Sequence, residues 1–514
     1  MRLAVCGVRG MFGRCPQASI PVLAVCGATG TGKSRLAIDV ARVFGGEVVN
    51  VDSMQLYEGL DIATNKITSD EAVGVPHHLL GTFPASMAGH IDVRDYRDEC
   101  LILIDKIRKE NKHVPILAGG THYYLESVLW SDFLTERHTT SSKDAEIIAS
   151  LSLPADSSEC YAQLKQINPH AADELHPNNV RKVRRALIEA LKQQQSGGPV
   201  GRTNPMGDPL IGPVNRSYEP RYPGQTYIFW TDCDADVLNK RLDRRVDDMI
   251  KAGLVGELDR FIARIVSDQD TRNNQVTTES DKIERLFGNE AKAVTDPFTR
   301  RGILQSIGFK EFSDYLALPA ASTERTSVTG QQLLNSAIER VKISTRQYAR
   351  RQIRWITNRF LRRPATGGLP VYRISVSEIL NSDSFSDQAD WDRLVLAPVV
   401  RIVHDHLMQS GDTLLTDCSN ISRLNGLLAL CPSDAAPQPL PFIMKADSES
   451  DADSESADGP PFVCSACSGR VFSRLEDWRA HTKSRSHQKR VSKLRKRALL
   501  QSVACSDDRR DLCE

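Results

Sequence analysis

Eight residues near the start of the chain restrict its fold more than any other stretch: Gly27-Ala28-Thr29-Gly30-Thr31-Gly32-Lys33-Ser34, which fit G-x-x-x-x-G-K-[ST]. They follow an apolar run of strand type, Val22-Leu23-Ala24-Val25-Cys26, and lead into helical spacing at Leu36, Ile38, Val40, Val43 and Phe44. Strand, glycine-rich turn and helix is the context in which backbone amides close around phosphate oxygens. Gly27, Thr29, Gly30, Thr31 and Gly32 would form the cradle, Lys33 would add a point charge, and Ser34 would offer its hydroxyl to Mg²⁺. A di- or triphosphate ligand on a parallel α/β sheet is the expectation.

The second buried-type run, Glu47-Val48-Val49-Asn50-Val51, ends in Asp52-Ser53-Met54-Gln55. A third, Val114-Pro115-Ile116-Leu117-Ala118, ends in Gly119-Gly120-Thr121. Reactive groups of open α/β sheets gather at the carboxyl ends of strands, so Asp52 should fall beside the phosphate loop, and Gly119-Gly120-Thr121 is again a turn at such an end. Leu101-Ile102-Leu103-Ile104-Asp105 imitates the strand-plus-Asp partner of a phosphate loop. Its flanks keep helical spacing through Val93, Tyr96, Cys100, Leu103 and Ile107, which argues against a motor or GTPase.

Further along, Arg181-Lys182-Val183-Arg184-Arg185 places four cations in five residues at the start of a helix, either a solvated face or a contact for a polyanion. A strand is expected at Thr226-Tyr227-Ile228-Phe229-Trp230. A single helix should then run from about Ala235 to Ile265, with Leu238, Leu242, Met249, Leu254, Leu258 and Phe261 inward. Arg241 and Arg245, four apart on it, can act together on one anion. Residues 266 to 300 are polar and read as a mobile insertion. The basic run Arg346 to Arg354, with Tyr348 and Trp355 interleaved, suits backbone contact and stacking on unpaired bases.

Near the C-terminus, Cys464-x₂-Cys467-x₁₃-His481-x₅-His487 has the spacing of a closed, structural Zn²⁺ site, with Phe472 and Trp478 as its small core. Lys489, Arg490, Lys493, Arg495, Lys496 and Arg497 follow, a footprint for nucleic acid that could equally serve nuclear import. The 12 cysteines are otherwise scattered, which argues for reduced thiols rather than a disulfide framework. No apolar run nears the roughly 20 residues of a membrane span. Arg2, Arg9 and Arg14 precede the first acid, Asp39, so the start reads either as a mitochondrial targeting arm or as a frayed lead-in to the first strand.

Taken together, the phosphate loop, Asp52-Ser53-Met54-Gln55-Leu56-Tyr57, Thr64-Asn65-Lys66, Pro76-His77-His78, Gly119-Gly120-Thr121-His122-Tyr123-Tyr124, Arg245-Val246-Asp247-Asp248-Met249, Ile307-Gly308-Phe309-Lys310-Glu311 and Arg346-Gln347-Tyr348-Ala349-Arg350-Arg351-Gln352 resemble the tRNA dimethylallyltransferase family. The finger is similar to the eukaryotic type. The resemblance implies transfer of a dimethylallyl group from its diphosphate to the exocyclic amine of the adenine 3′ to the anticodon. It implies Asp52 as base, with Ser34, Mg²⁺, Lys33, Arg241 and Arg245 handling the diphosphate. Ser53, Met54, Gln55 and Thr121 would meet the flipped base, and Arg181, Lys182, Arg184 and Arg185 the anticodon stem. His122 departs from the residue common there and is assigned no role.

The expected organisation is an arm (1–20), a P-loop transferase core (21–124 and 225–363), a helical tRNA-binding insertion (125–224), a variable region with an acidic linker (364–459), and a finger with basic tail (460–500). A monomer acting in mitochondrion, cytoplasm or nucleus is the expected form. A P-loop kinase would need a lid with paired arginines. A non-enzymatic nucleic-acid-binding protein would leave the loop and Asp52 unexplained.

Overall fold

The computed structural model describes residues 20–85, 91–131, 133, 156–175, 177, 180–195, 219–273, 302–319, 322–362, 368–381, 387–410, 418–441 and parts of 462–491. The arm (1–19), the loop 196–218, the stretch 274–301, the acidic linker 442–461 and the tail residues Lys489, Lys493, Arg495, Lys496 and Arg497 lie outside the described residues.

Six parallel strands form the centre: β1 Val22–Gly27, β2 Gly46–Asn50, β3 His77–His78, β4 Val114–Ala118, β5 Thr226–Asp232 and β6 Val371–Ser375, in the spatial order β3-β2-β4-β1-β5-β6. Every residue of β1, β2 and β4 is buried, as continuous apolar runs of a sheet covered on both faces require. Helix α1 (Lys33–Phe44) follows β1, buries Leu36, Ala37, Val40, Val43 and Phe44, and stops at Gly45 in the left-handed conformation. Helix α2 (Val93–Lys109) opens with a reciprocal cap between Asp92 and Asp95 and buries Tyr96, Cys100, Ile104 and Ile107. Asp105 sits exposed in its last turns, paired with Lys109, so the apparent second nucleotide motif is a helix face. Helix α3 (His122–Leu129) begins just past β4.

A separate compact unit comprises Glu126–Pro223. Its helices α4 (Ser157–Ile167), α5 (Pro169–Glu174) and α6 (Val180–Gln195) enclose a small core of Cys160, Leu164, Ala171, Ala172, Leu175, Val183, Leu187 and Ala190. Arg181, Lys182, Arg184 and Arg185 fall in the first two turns of α6, flanking Val183 and Leu187. Arg184 is half-buried; the side chains of Arg181, Lys182 and Arg185 are outside the described part.

Three features differ from the sequence expectation. The long helix after β5 is two, α7 (Ala235–Lys251) and α8 (Leu254–Asn273), because Gly253 turns the chain at a φ of 94°. In α7 Val246 is buried where Met249 was expected, and α8 continues through the first part of the polar stretch. The sheet also does not end with the region assigned to the core. After the 28-residue helix α9 (Val328–Trp355), β6 adds an edge strand. The chain then supplies Trp391, helix α10 (Ala397–Ser410) and helix α11 (Cys418–Leu430), whose apolar residues share one core with α1. Strand β3 escaped notice because it is two polar residues long; buried Glu47 holds its His78 at 2.6 Å and His113 at 2.7 Å.

In the C-terminal module, β7 (Phe462–Cys464) pairs antiparallel with β8 (Arg470–Phe472) before helix α12 (Leu475–Lys483). Trp478 packs against Cys464 and Cys467 as expected; the side chain of Phe472 is outside the described part.

Candidate functional site

The phosphate-loop sequence closes over the ends of β1 and β5. Gly27 pairs with Thr231 at a φ of 147°, and a Cβ there would stand 2.4 Å from the Thr231 hydroxyl, so only glycine fits. Each turn of the loop is held by a side chain from another element. The Gly27 amide donates to His122 Nε2 (3.3 Å), the Thr29 amide to Gln352 Oε1 (2.8 Å), and Arg241 Nε to the Gly30 carbonyl (2.8 Å). Thr31 is buried, its hydroxyl bonded to the Ala28 carbonyl (2.8 Å) and to Thr231 (2.6 Å), so this side chain shapes the loop. Lys33 Nζ donates to the Ala28 carbonyl at 2.7 Å. Gly32 caps α1 at a φ of 83°, leaving Lys33 and the exposed Ser34 in the first turn.

Asp52 lies just past the carboxyl end of β2, in a turn that the side chain of Asn50 fastens to Asp52 and Leu79. Its Oδ1 accepts the Met54 amide at 3.0 Å. Gly120 lies close by: a Cβ there would stand 2.2 Å from Gln352 Nε2 and 3.6 Å from Asp52 Oδ2, so the approach of Gln352 requires the glycine. Thr121 Oγ1 accepts the Ser53 amide (3.0 Å), lies 3.2 Å from the Ser53 hydroxyl, and bonds Tyr348. Gln55 points elsewhere: its amide donates to the carbonyls of Thr64 and Asn65, shaping the 60–66 turn.

The charges of the site act on one another. Withdrawal from water raises the Asp52 carboxyl above its ordinary value, against the pull of the Met54 amide, Lys33 and Arg245. Burial pulls Lys33 down to about 8, with Asp52 opposing and Arg245 assisting. Burial and Arg241 pull Arg245 down to about 10. Two cations and one carboxylate thus leave an excess positive charge in a poorly solvated recess, an arrangement that an anion would relieve.

Gly27, Thr29, Gly30, Thr31, Gly32, Lys33, Ser34, Asp52, Ser53, Met54, Thr121, Arg241 and Arg245 therefore converge on the carboxyl ends of the strands. Two participants carried no expectation. His122, pulled down to about 3 by burial and Lys33, stays neutral and accepts the Gly27 amide. Gln352 is buried in α9, and its amide bridges the Thr29 N–H to the Gly120 carbonyl (2.9 Å). Gln352 stood in the sequence only as the last residue of the Arg346–Gln352 block, with no role attached to it. Tyr348 turns its hydroxyl toward Thr121 and Gln352. Trp355 meets Tyr123 edge-on at 6.0 Å and lies under Arg359, while Arg350, Arg351 and Arg354 are exposed.

In the C-terminal module one donor atom each from Cys464, Cys467, His481 and His487 lies within 4.8 Å of all the others. Cys464 Sγ and Cys467 Sγ are 3.4 and 3.6 Å from His487 Nδ1, which is 3.2 Å from His481 Nε2. A tetrahedron with Zn–S of about 2.3 Å and Zn–N of about 2.0 Å has edges of about 3.5 Å (S to N) and 3.3 Å (N to N). The donor set fits that ion.

A family model described as IPP transferase matches residues 55–359. The human protein named tRNA dimethylallyltransferase is 33% identical over 509 residues, covering 97% of this chain and 90% of its own. A protein of that name from Caldanaerobacter subterraneus subsp. tengcongensis is 31% identical, over 66% of this chain and 89% of its own length. A crystal structure of a eukaryotic dimethylallyltransferase acting on tRNA superimposes with a TM-score of 0.52 at 24% identity, over 95% of this chain and all of that one, and shares the fold.

Proposed function

The chain belongs to the IPP transferase family, and from that premise we propose that it transfers a dimethylallyl group from dimethylallyl diphosphate to the exocyclic amine of the adenine 3′ to a tRNA anticodon. The observation that carries the chemistry is Asp52, a carboxylate with raised proton affinity beside Lys33, Arg245 and a phosphate loop. An exocyclic adenine amine is a weak nucleophile. As its nitrogen attacks the allylic carbon, the carbon–oxygen bond breaks, pyrophosphate leaves with the electron pair, and Asp52 accepts the proton of the amine. Lys33, Arg245 and the loop amides take up the charge that grows on the leaving oxygens. Arg241 supports this by fixing Gly30. Ser53, Met54 and Thr121, adjacent to Asp52, are the groups offered to an adenine that has left its stack.

Mg²⁺ binds through few protein ligands plus substrate phosphates, and an exposed serine in the first turn after the loop suits it; Ser34 would hold it. Bound there, it would neutralise diphosphate charge. Zn²⁺ would sit in the Cys464, Cys467, His481 and His487 cluster as a structural ion. For tRNA, the support is α6: four cations crowd its N-terminal turns with no acid in the first turn, where the helix dipole disfavours positive charge. Phosphates would relieve both. Among the described residues no helix is long and apolar enough to cross a membrane. Family membership leaves no place for the kinase reading, nor for a purely binding role.

The deciding assay incubates purified protein with labelled dimethylallyl diphosphate, Mg²⁺ and unmodified tRNA, followed by nucleoside analysis. Label on an adenosine beside the anticodon is expected. Label elsewhere, or none, would overturn the reading.

A further inference from the structure

Trp391 lies outside the residues matched by the family model, which stop at 359, yet it reaches the phosphate loop. It is fully buried in the core shared with α1. Its indole Nε1 donates to Asp39 Oδ2 at 2.9 Å. The Arg35 guanidinium lies 4.3 Å over its ring and donates onward to Gln388 at 2.9 Å. At the third point, a Cβ placed on Gly32 would stand 2.9 and 3.3 Å from two carbons of its six-membered ring. Residues 32, 35 and 39 form one stripe along the first turns of α1, and a single indole covers all three.

The middle of that stripe is unremarkable packing; its upper end is not. Gly32 immediately precedes Lys33 and Ser34, and its left-handed conformation directs the chain from loop into helix. A rigid ring pressed against it restricts that turn from below. Arg241 fixes Gly30 and Gln352 fixes Thr29, so Trp391 completes a set of braces on three of the loop's residues.

We propose that Trp391 is a positioning residue for diphosphate binding, by which the segment after residue 359 takes part in the transferase site. The inference rests on the reading of Gly27–Ser34 as the diphosphate cradle. Phe at this position keeps an aromatic ring in the core but removes both the indole N–H to Asp39 and the outer ring atoms that meet Gly32.

The test is titration of the full chain with inorganic pyrophosphate and Mg²⁺ by calorimetry, alongside KM and kcat for dimethylallyl diphosphate and tRNA. W391F should weaken pyrophosphate roughly tenfold and raise the KM for dimethylallyl diphosphate in proportion, with the KM for tRNA unchanged, since small misplacements of a binding constellation are costly. V403A, a core truncation on α10 at a fully buried position, should lower thermal stability and leave pyrophosphate affinity at the wild-type value. W391M, whose flexible chain fills the same space, is the second variant if W391F fails to fold. Wild-type affinity in the folded Trp391 variants overturns the proposal, as does an equal loss in V403A. K33A should abolish pyrophosphate binding; if it does not, the cradle reading itself fails, separately from Trp391.

Discussion

Replacing Asp52 by Asn isolates the proton-accepting step from the rest of the site. Asn keeps the shape of the side chain, and its carbonyl oxygen can still accept the Met54 amide that now holds Oδ1. What is lost is a carboxylate whose proton affinity burial has raised, and with it the negative member of the Asp52, Lys33 and Arg245 group. A positioned general base contributes about 10²–10⁴-fold, equivalent to about 2.7–5.4 kcal/mol of barrier. The kcat of D52N should fall by that factor in a single-turnover transfer assay. Diphosphate binding should not weaken, because the substitution removes a repulsive charge from an anion site. A second consequence follows from the same charge: Asp52 raises Lys33, so without it Lys33 should lose its proton at lower pH. The alkaline loss of pyrophosphate binding should move down in D52N. A kcat within tenfold of wild type would refute Asp52 as base, and an alkaline limb that stays in place would refute the coupling.

Other outcomes are open to measurement. In the intact protein, kcat/KM for dimethylallyl diphosphate should rise with pH as the raised Asp52 carboxyl ionises, then fall near 8 as Lys33 deprotonates; a flat alkaline side would mean that Lys33 is not needed as a cation. Chelation should release one zinc per chain and expose Cys464 and Cys467 to alkylation, read by mass spectrometry; protection unchanged by chelator would exclude a metal there. Replacing Lys182 and Arg185 with Ala should weaken tRNA binding and flatten its log–log salt dependence by about two counterions. An unaltered slope would reduce the α6 cations to a solvated face.

The glycine-rich loop, the strands that carry it and the position of Asp52 were legible in the sequence because each depends on local signals: continuous apolar runs, a glycine-rich turn, an acid just past a strand end. The cluster of Cys464, Cys467, His481 and His487 was legible for the same reason, since the spacing is the signal. Gln352 and His122 were not, because their roles come from neighbours far along the chain: 323 residues separate Thr29 from Gln352, and 95 separate Gly27 from His122. The break between α7 and α8 hung on one glycine in a strongly periodic stretch. The place of residues 371–431 was hidden because β6 is a short strand whose pairing partner β5 and whose covering residues, Trp391 and those of α10, lie elsewhere in the chain.

That last feature has a consequence in time. Strand β6 and the helices that cover α1 are the final pieces of the sheet domain to be made, within the roughly 75 residues that follow the basic helix α9. At translation rates of about 5–20 residues per second, the roughly 140 residues from the end of β5 to the end of β6 take roughly 7–28 s, during which the phosphate loop is already made, the outer edge of β5 is unpaired and α1 still lacks α10 and α11. The domain is therefore completed from its end, not its beginning. A ribosome halted at residue 363 would display every residue assigned to transfer on a body that still lacks one of its walls.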